Sequence, residues 1–405
     1  MSTHANLKKH KRTFWKCLAK NVLFLIFVLS TFFTNLSCDK SERDKSVNEK
    51  IPQWVVSGSP ISASSIPSSD YSFLAQWLDE NAKSAQEYMI DLFKDYQVVI
   101  CGEGHNVKEH KDFIIELIPL LYHDAGVRCI GWEFTRYSDN ERLEKILTAS
   151  EYSSEAVLQL ARDQLAHTWN SREHWDIIKA VWQLNKSLEQ NQEKMRLLGL
   201  HGNLDLVQAF MVFRTKSEDS PEFREAVDKL IQEHDVAMAQ NVEKEIIEKD
   251  LKALIFVGRC HDFTHYEFPP NMNFGRPIMG NLLYKRHEEL IFQVWLGAGF
   301  LRPIEEVMKI GGNEYLGFDL YKSPFANILS PDGWDAPKVP LSKIARGYIY
   351  LKPRNSMHKN TSIKGFVTDE MFKKYKQYYE TDLERTFNSA QELDEHLQKN
   401  RFPKP

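Results

Sequence analysis

Several short runs of the chain are predominantly apolar: QVVIC at 97–101, VRCIGWEF at 127–134, MRLLGL at 195–200, ALIFVG at 253–258, LIFQVWLG at 290–297 and GYIYL at 347–351. Runs of this length with no polar alternation predict strands covered on both faces. The intervening stretches place apolar residues three and four apart, as helices do. They include 73–96, 108–126 (with Gly126 placed to end the helix), 139–192, 206–250 and a charged tail over 368–398. Within the third, NSRE at 170–173 resembles a capping box. Strands alternating with amphipathic helices predict an α/β fold: a largely parallel central sheet flanked by helices, with ligands at the carboxyl ends of the strands.

The two ends of the chain read differently. A basic stretch (KKHKRTFWKCLAK) precedes the apolar segment Val22 to Phe33, and polar sequence follows Cys38. That segment has the length of a signal-peptide apolar region and is short for a membrane span. The arrangement resembles a bacterial lipoprotein signal, although Asn35 stands where such signals usually carry Leu. It implies a signal peptide over 1–37 and lipidation at Cys38, with membrane attachment through the lipid. The alternative is an uncleaved signal anchor, and both readings export the rest of the chain. A Ser- and Pro-rich stretch marks a tether over 38–69, the α/β domain is expected over 70–355, and a helical extension over 356–405.

The formal charge of −4 understates the acidity of the exported part. The leader holds six basic residues and no acid, which leaves 46 basic against 56 acidic residues beyond it. That balance argues against nucleic acid as a partner, since binding it requires a basic surface. Beyond the leader and Cys38, the cysteines are Cys101, Cys129 and Cys260, all in or beside apolar runs and all expected as buried small hydrophobes.

The ionisable residues cluster where the strands end. VVICGEGH places Glu103 and His105 after the first strand, and IGWEF places Glu133 after the second. GLHGNLD places His201, Asn203 and Asp205 after the third, and VGRCHDFTH places Arg259, His261, Asp262 and His265 after the fourth. His201, Asn203 and Asp205 also fit a turn and helix cap. His265 shares a face with His261 only if a helix starts there. His110, His167 and His174 fall in helical stretches, where surface or packing roles are expected. Trp169, Trp175 and Trp182 have core spacing.

Two Gly-x-x-His motifs at strand ends (GEGH, GRCH), with GWEF between them, resemble the superfamily that joins Tiki/TraB proteases, erythromycin esterases and ChaN-like haem-binding lipoproteins. RPIMGNLLYKRHEELIFQVWLG, FDLYKSPFANI and GYIYLKP are more similar to the esterase branch, and the resemblance spans about 85–352. It implies functional roles for Glu103, His105, Glu133 and His261. GEGH has one residue fewer between Glu and His than erythromycin esterases usually carry.

Two imidazoles and a carboxylate suit hydrolysis of an ester, lactone or amide in a small-molecule or peptide substrate. A divalent ion held by His105, Glu133, His261 and His265 would activate water. Without metal, His105 would be the base, Glu103 or Glu133 its orienting partner, and His261 the group that polarises the carbonyl or protonates the leaving group. Arg259 or Asp205 would meet the oxyanion or substrate. Haem or iron binding without turnover, as the ChaN branch implies, is the competing expectation.

Overall fold

The computed structural model describes residues 51–164, 170–203, 205–268, 277–297, 302–311, 315–330 and 338–400. Cys38, the leader, His167 and Trp169 lie outside them. The apolar runs become strands of one eight-stranded sheet. These are β2 (Val98–Glu103), β3 (Cys129–Arg136), β4 (Arg196–His201), β5 (Ala253–Gly258), β6 (Ile291–Leu296) and β8 (Gly347–Tyr350). The short β1 (Lys83–Ser84) and β7 (Leu316–Asp319) complete it, in the order β1-β7-β8-β6-β2-β5-β3-β4. Pairings from β8 through β6, β2, β5 and β3 to β4 are parallel, whereas β7 runs antiparallel to β8 and to β1.

Each central strand alternates between two cores although its sequence does not alternate in polarity. In β2, Val99 and Cys101 pack on the side of helices Ala85–Asp95, Lys108–His123 and Arg172–Ser187; in β5, Leu254 and Phe256 do the same. Val98, Ile100, Ala253, Ile255 and Val257 face the opposite layer, with Met238, Val242, Ile246, Met279 and Leu283. Side chains of period two, with helices on both faces, leave no polar side for the sheet to show. A third cluster joins Trp295, Phe318, Tyr348 and Tyr350 to Leu74 and Leu78 of helix Tyr71–Asn81.

Part of the expected tether is folded. Trp54 packs against the third cluster and donates its indole N–H to Asp70 at 2.9 Å, and Ile61 bridges to Ile328. The expected C-terminal extension is likewise continuous with the core. Phe387, Leu393 and Leu397 are buried among the helices of the first cluster, and the described residues belong to one compact unit. No helix among the described residues is long and apolar enough to cross a membrane. The capping box does not form as read. Ser171, not Asn170, is the N-cap and makes no side-chain cap bond; its hydroxyl donates to Glu173 Oε2 at 3.2 Å, which also accepts the Thr361 N–H at 2.8 Å.

Leu393→Ala separates an integral tail from an appended one. A cavity at this fully buried position should destabilise the protein by about 2–5 kcal/mol in urea unfolding. A change within about 0.5 kcal/mol, typical of surface sites, would show that the tail is dispensable.

Candidate active site

The site lies at the carboxyl ends of β2, β5 and β3, which are adjacent in the sheet. The alternation of β2 turns its last residue, Glu103, toward the layer that holds helices Lys108–His123 and Arg172–Ser187. There it is buried. Its Oε2 pairs with Lys111 Nζ, and its Oε1 meets His105 Nδ1 at 2.7 Å and His174 Nε2 at 3.1 Å. Burial opposes ionisation of Glu103, but the Lys111 charge, together with His174 and the His105 hydrogen bond, holds its carboxyl well below the ordinary range. His174 is itself pushed down to about 4 by burial and by Lys111, so it serves as a neutral N–H donor and Lys111 supplies the compensating charge. Lys111 also donates to the carbonyls of Gly104, His105 and Val107 at 3.0, 2.9 and 3.2 Å. The loop that carries His105 is thereby wrapped around the ammonium.

The opposite side of that loop is held by the C-terminal segment, where Asn360 Nδ2 donates to the His105 carbonyl at 2.6 Å. His110, on the first turn of its helix, accepts the Gly104 N–H at Nδ1 (2.9 Å) and donates from Nε2 to the Gly297 carbonyl (3.2 Å). Burial, then the Lys111 charge, lowers it to about 3 and fixes this neutral form. The His105 ring emerges with 43% of its side chain exposed, lying across the end of β5. Only glycine fits beneath it: a Cβ on Gly258 would fall 2.4 Å from His105 Cε1 and 2.5 Å from Nε2.

Glu133 belongs to β3 and faces the other layer. Its Oε2 accepts the Gly258 N–H, while its Oε1 stands 3.9 Å from both His105 Nε2 and His261 Nε2. Burial opposes its charge, but His261, His105 and His234 together bring its carboxyl below the ordinary value. His261 is held from behind by Asp235, whose Oδ1 lies 2.8 Å from Nδ1 and also accepts the Met279 N–H at 2.9 Å. His234 stacks obliquely between His261 and His201, with ring centroids 4.6 and 5.2 Å away. His201 donates Nδ1–H to the Gly202 carbonyl at 2.7 Å, and burial, followed by His234, lowers it to about 3.

Glu103, His105, Glu133 and His261 are therefore brought together. The carboxylates sit on opposite faces of the sheet, each paired with an imidazole whose Nε2 turns toward the shared gap. The four-residue metal set expected from the sequence does not assemble. His265 is exposed, bonded to Thr264 at 2.9 Å and stacked on Tyr284 at 4.5 Å, because the helical turn that carries His261 ends at Asp262. Among the described residues, donor atoms close enough to share an ion occur in Glu103/His105/His174 and in His234/Asp235/His261. Asp205 is the exposed N-cap of Leu206–Thr215, its Oδ1 accepting the Gln208 N–H at 3.0 Å. Arg259 lies near the site, its guanidinium 5.6 Å from the Trp295 ring centroid and 3.0 Å from where a Gly104 Cβ would be. Asp262 accepts the Trp295 Nε1–H at 3.1 Å, and burial raises its carboxyl to about 8. Cys101 and Cys129 are buried as expected, but Cys260 is exposed.

Lys111, His174, His234 and Asp235 were not singled out for the site by sequence. Each occupies a helical stretch in which a charged or His residue at a core-facing position is the only local sign.

No protein-family model matches the sequence, and no curated protein sequence matches it. Solved structures do share the fold. A Bacillus cereus protein superposes with a TM-score of 0.53 at 12% identity, covering 73% of this chain and 99% of its own. A succinoglycan biosynthesis protein gives 0.52 at 9% identity over the same shares. More distant are an open-conformation mutant of the erythromycin esterase EreC (0.45, 11% identity, 66% of this chain and 96% of that one) and haem-bound ChaN of Campylobacter jejuni (0.33, 15%, 53% and 86%). With the first two, the likeness is one of fold, a central sheet flanked by helices.

The two buried neutral imidazoles on the Glu103 side set an acid limit on stability. In the unfolded chain His110 and His174 take up protons near 6.5; in the fold they resist protonation down to about 3 and about 4. Folded values below unfolded ones mean that the stabilisation is complete above pH 6.5 and lost as pH falls toward 4. Urea midpoints should therefore fall steadily from pH 7 to pH 4.5, and the slope should lessen by one proton in His110→Gln. A flat profile would contradict the neutral assignment.

Proposed function

We propose that the protein is a hydrolase that cleaves an ester, lactone or amide with His105 as general base. The observation that carries this reading is the Glu103–His105 pair. A buried, ionised carboxylate holds Nδ1 at 2.7 Å, while the 43% exposed ring turns Nε2 toward Glu133. With its Nδ1–H donated to Glu103, the imidazole carries its lone pair at Nε2, facing the gap. Water there adds to the carbonyl carbon and gives its proton to Nε2. The imidazolium is stabilised by Glu103 on one side and by Glu133 on the other. His261, as the imidazolium whose Nδ1–H is held by Asp235, donates its Nε2–H to the carbonyl oxygen, and the nearby Arg259 charge favours the oxyanion. Collapse of the tetrahedral intermediate returns the proton from His105 to the leaving oxygen or nitrogen.

The leader and Cys38 support a setting in the bacterial envelope with a lipid anchor, facing small-molecule or peptide substrates. An exposed imidazole would also serve as an axial haem ligand, and the test includes that outcome.

Chromogenic esters of graded acyl length should be cleaved by the native chain, with kcat in His105→Ala lower by about 10²–10⁴-fold. Absence of turnover in the native chain, with a Soret band on haem titration that His105→Ala abolishes, would replace the hydrolase by a haem carrier. Gly258→Ala tests the placement of the ring. A methyl group beneath His105 should cost about 10²-fold in kcat with KM and the melting temperature little changed. Unaltered kcat would mean that the ring position is not what matters.

A further inference from the structure

Behind Glu133 lies a second cluster that the hydrolytic reading uses only through His261. Gln232–Val236 is one of two π-turns in the long helical stretch before β5, the other being Glu243–Ile247, a feature that recurs at functional sites. The wider turn places the consecutive residues His234 and Asp235 together against His261. The Gly202 N–H holds it by donating to the Glu233 carbonyl at 2.8 Å. A side chain at Gly202 would collide with Glu233, 2.3 Å from Oε2, so the end of β4 and the π-turn are fitted backbone to backbone.

We propose that this pocket binds a divalent first-row transition ion through Nδ1 of His234, the carboxylate of Asp235 and Nδ1 of His261. Metal–ligand lengths of about 2.0–2.2 Å place neighbouring donors roughly 3–3.5 Å apart. The observed separations bracket this: 2.8 Å from Asp235 Oδ1 to His261 Nδ1, and 3.7 Å from Asp235 Oδ2 to His234 Nδ1. All three residues are buried, with Asp235 wholly so. Two imidazoles with one carboxylate favour zinc, cobalt, nickel or iron over magnesium and calcium. Charge also balances, since a dication beside Asp235 and Glu133 leaves no net buried charge. An ion on Nδ1 of His261 displaces the proton from that nitrogen and fixes Nε2–H toward Glu133, the outer carboxylate that histidine ligands commonly carry. The other candidate group, Glu103/His105/His174, is less suited, because the Lys111 ammonium already pairs with Glu103 and would repel a dication.

The proposal does not depend on the hydrolase reading. Untagged full-length chain, stripped with chelator, is titrated with Co²⁺ and followed by visible absorption, then dialysed against Zn²⁺ for metal analysis. One ion per chain is expected, with d–d bands and no thiolate charge transfer. His234→Gln and Asp235→Asn should each weaken binding by about tenfold or more, whereas His105→Gln should remove ester cleavage and leave metal affinity unchanged. No stoichiometric ion in the native chain would overturn the proposal and leave Asp235 as the residue that orients His261. So would a thiolate band, or affinity retained in His234→Gln with unchanged circular dichroism. If Asp235→Asn does not fold, the native titration and His234→Gln still decide.

Discussion

The buried ion pair between Glu103 and Lys111 is the constraint on which the site is built. Each charge loses several kcal/mol of hydration on burial, a cost that mutual attraction and further hydrogen bonds must offset. Both residues meet that demand with groups of the site itself. Glu103 takes hydrogen bonds from two imidazoles, and Lys111 takes the carbonyls of the loop that bears His105. The charge pair and the loop conformation are therefore one unit. Neutralising either partner would leave the other buried and unpaired, a cost of about 3–5 kcal/mol.

The geometry around that pair follows from strand parity. Odd positions of β2 face one helical layer, so Glu103 goes there, while Glu133, in the carboxyl half of β3, goes to the other. A group that is to address both carboxylates must cross the end of the strand between them. β5 is that strand, and it ends in Gly258, which leaves room for the imidazole of His105. The two faces then offer different environments: a compensated ion pair below, and on the other side a carboxylate among imidazoles. The helical layers that cover the sheet supply the polar partners as well as the apolar core, and the C-terminal segment closes the loop from outside.

The sequence by itself determined six of the eight strands, missing the short β1 and β7, and with them the burial of the central strands on both faces and the concentration of Glu103, His105, Glu133 and His261 at strand ends. All of these are local: they follow from runs of apolar residues and the glycines that stop them. The same local evidence put His265 beside His261, and the structure separates them because the helical turn there stops at Asp262. Asp205 likewise resembled a site residue by position and became a helix cap.

Tertiary structure alone decided which charges meet. His174 reaches Glu103 across 71 residues, and Asp235 reaches His261 across 26. Neither contact has a periodic trace, because the pattern of a helix records which face is buried and not what that face touches. The insertion of β5 between β2 and β3, far from sequence order, made a single site of the two Gly-x-x-His motifs. Burial then gave these residues their charge states, since a histidine or lysine with an ordinary value in water acquires its protonation from the groups packed around it.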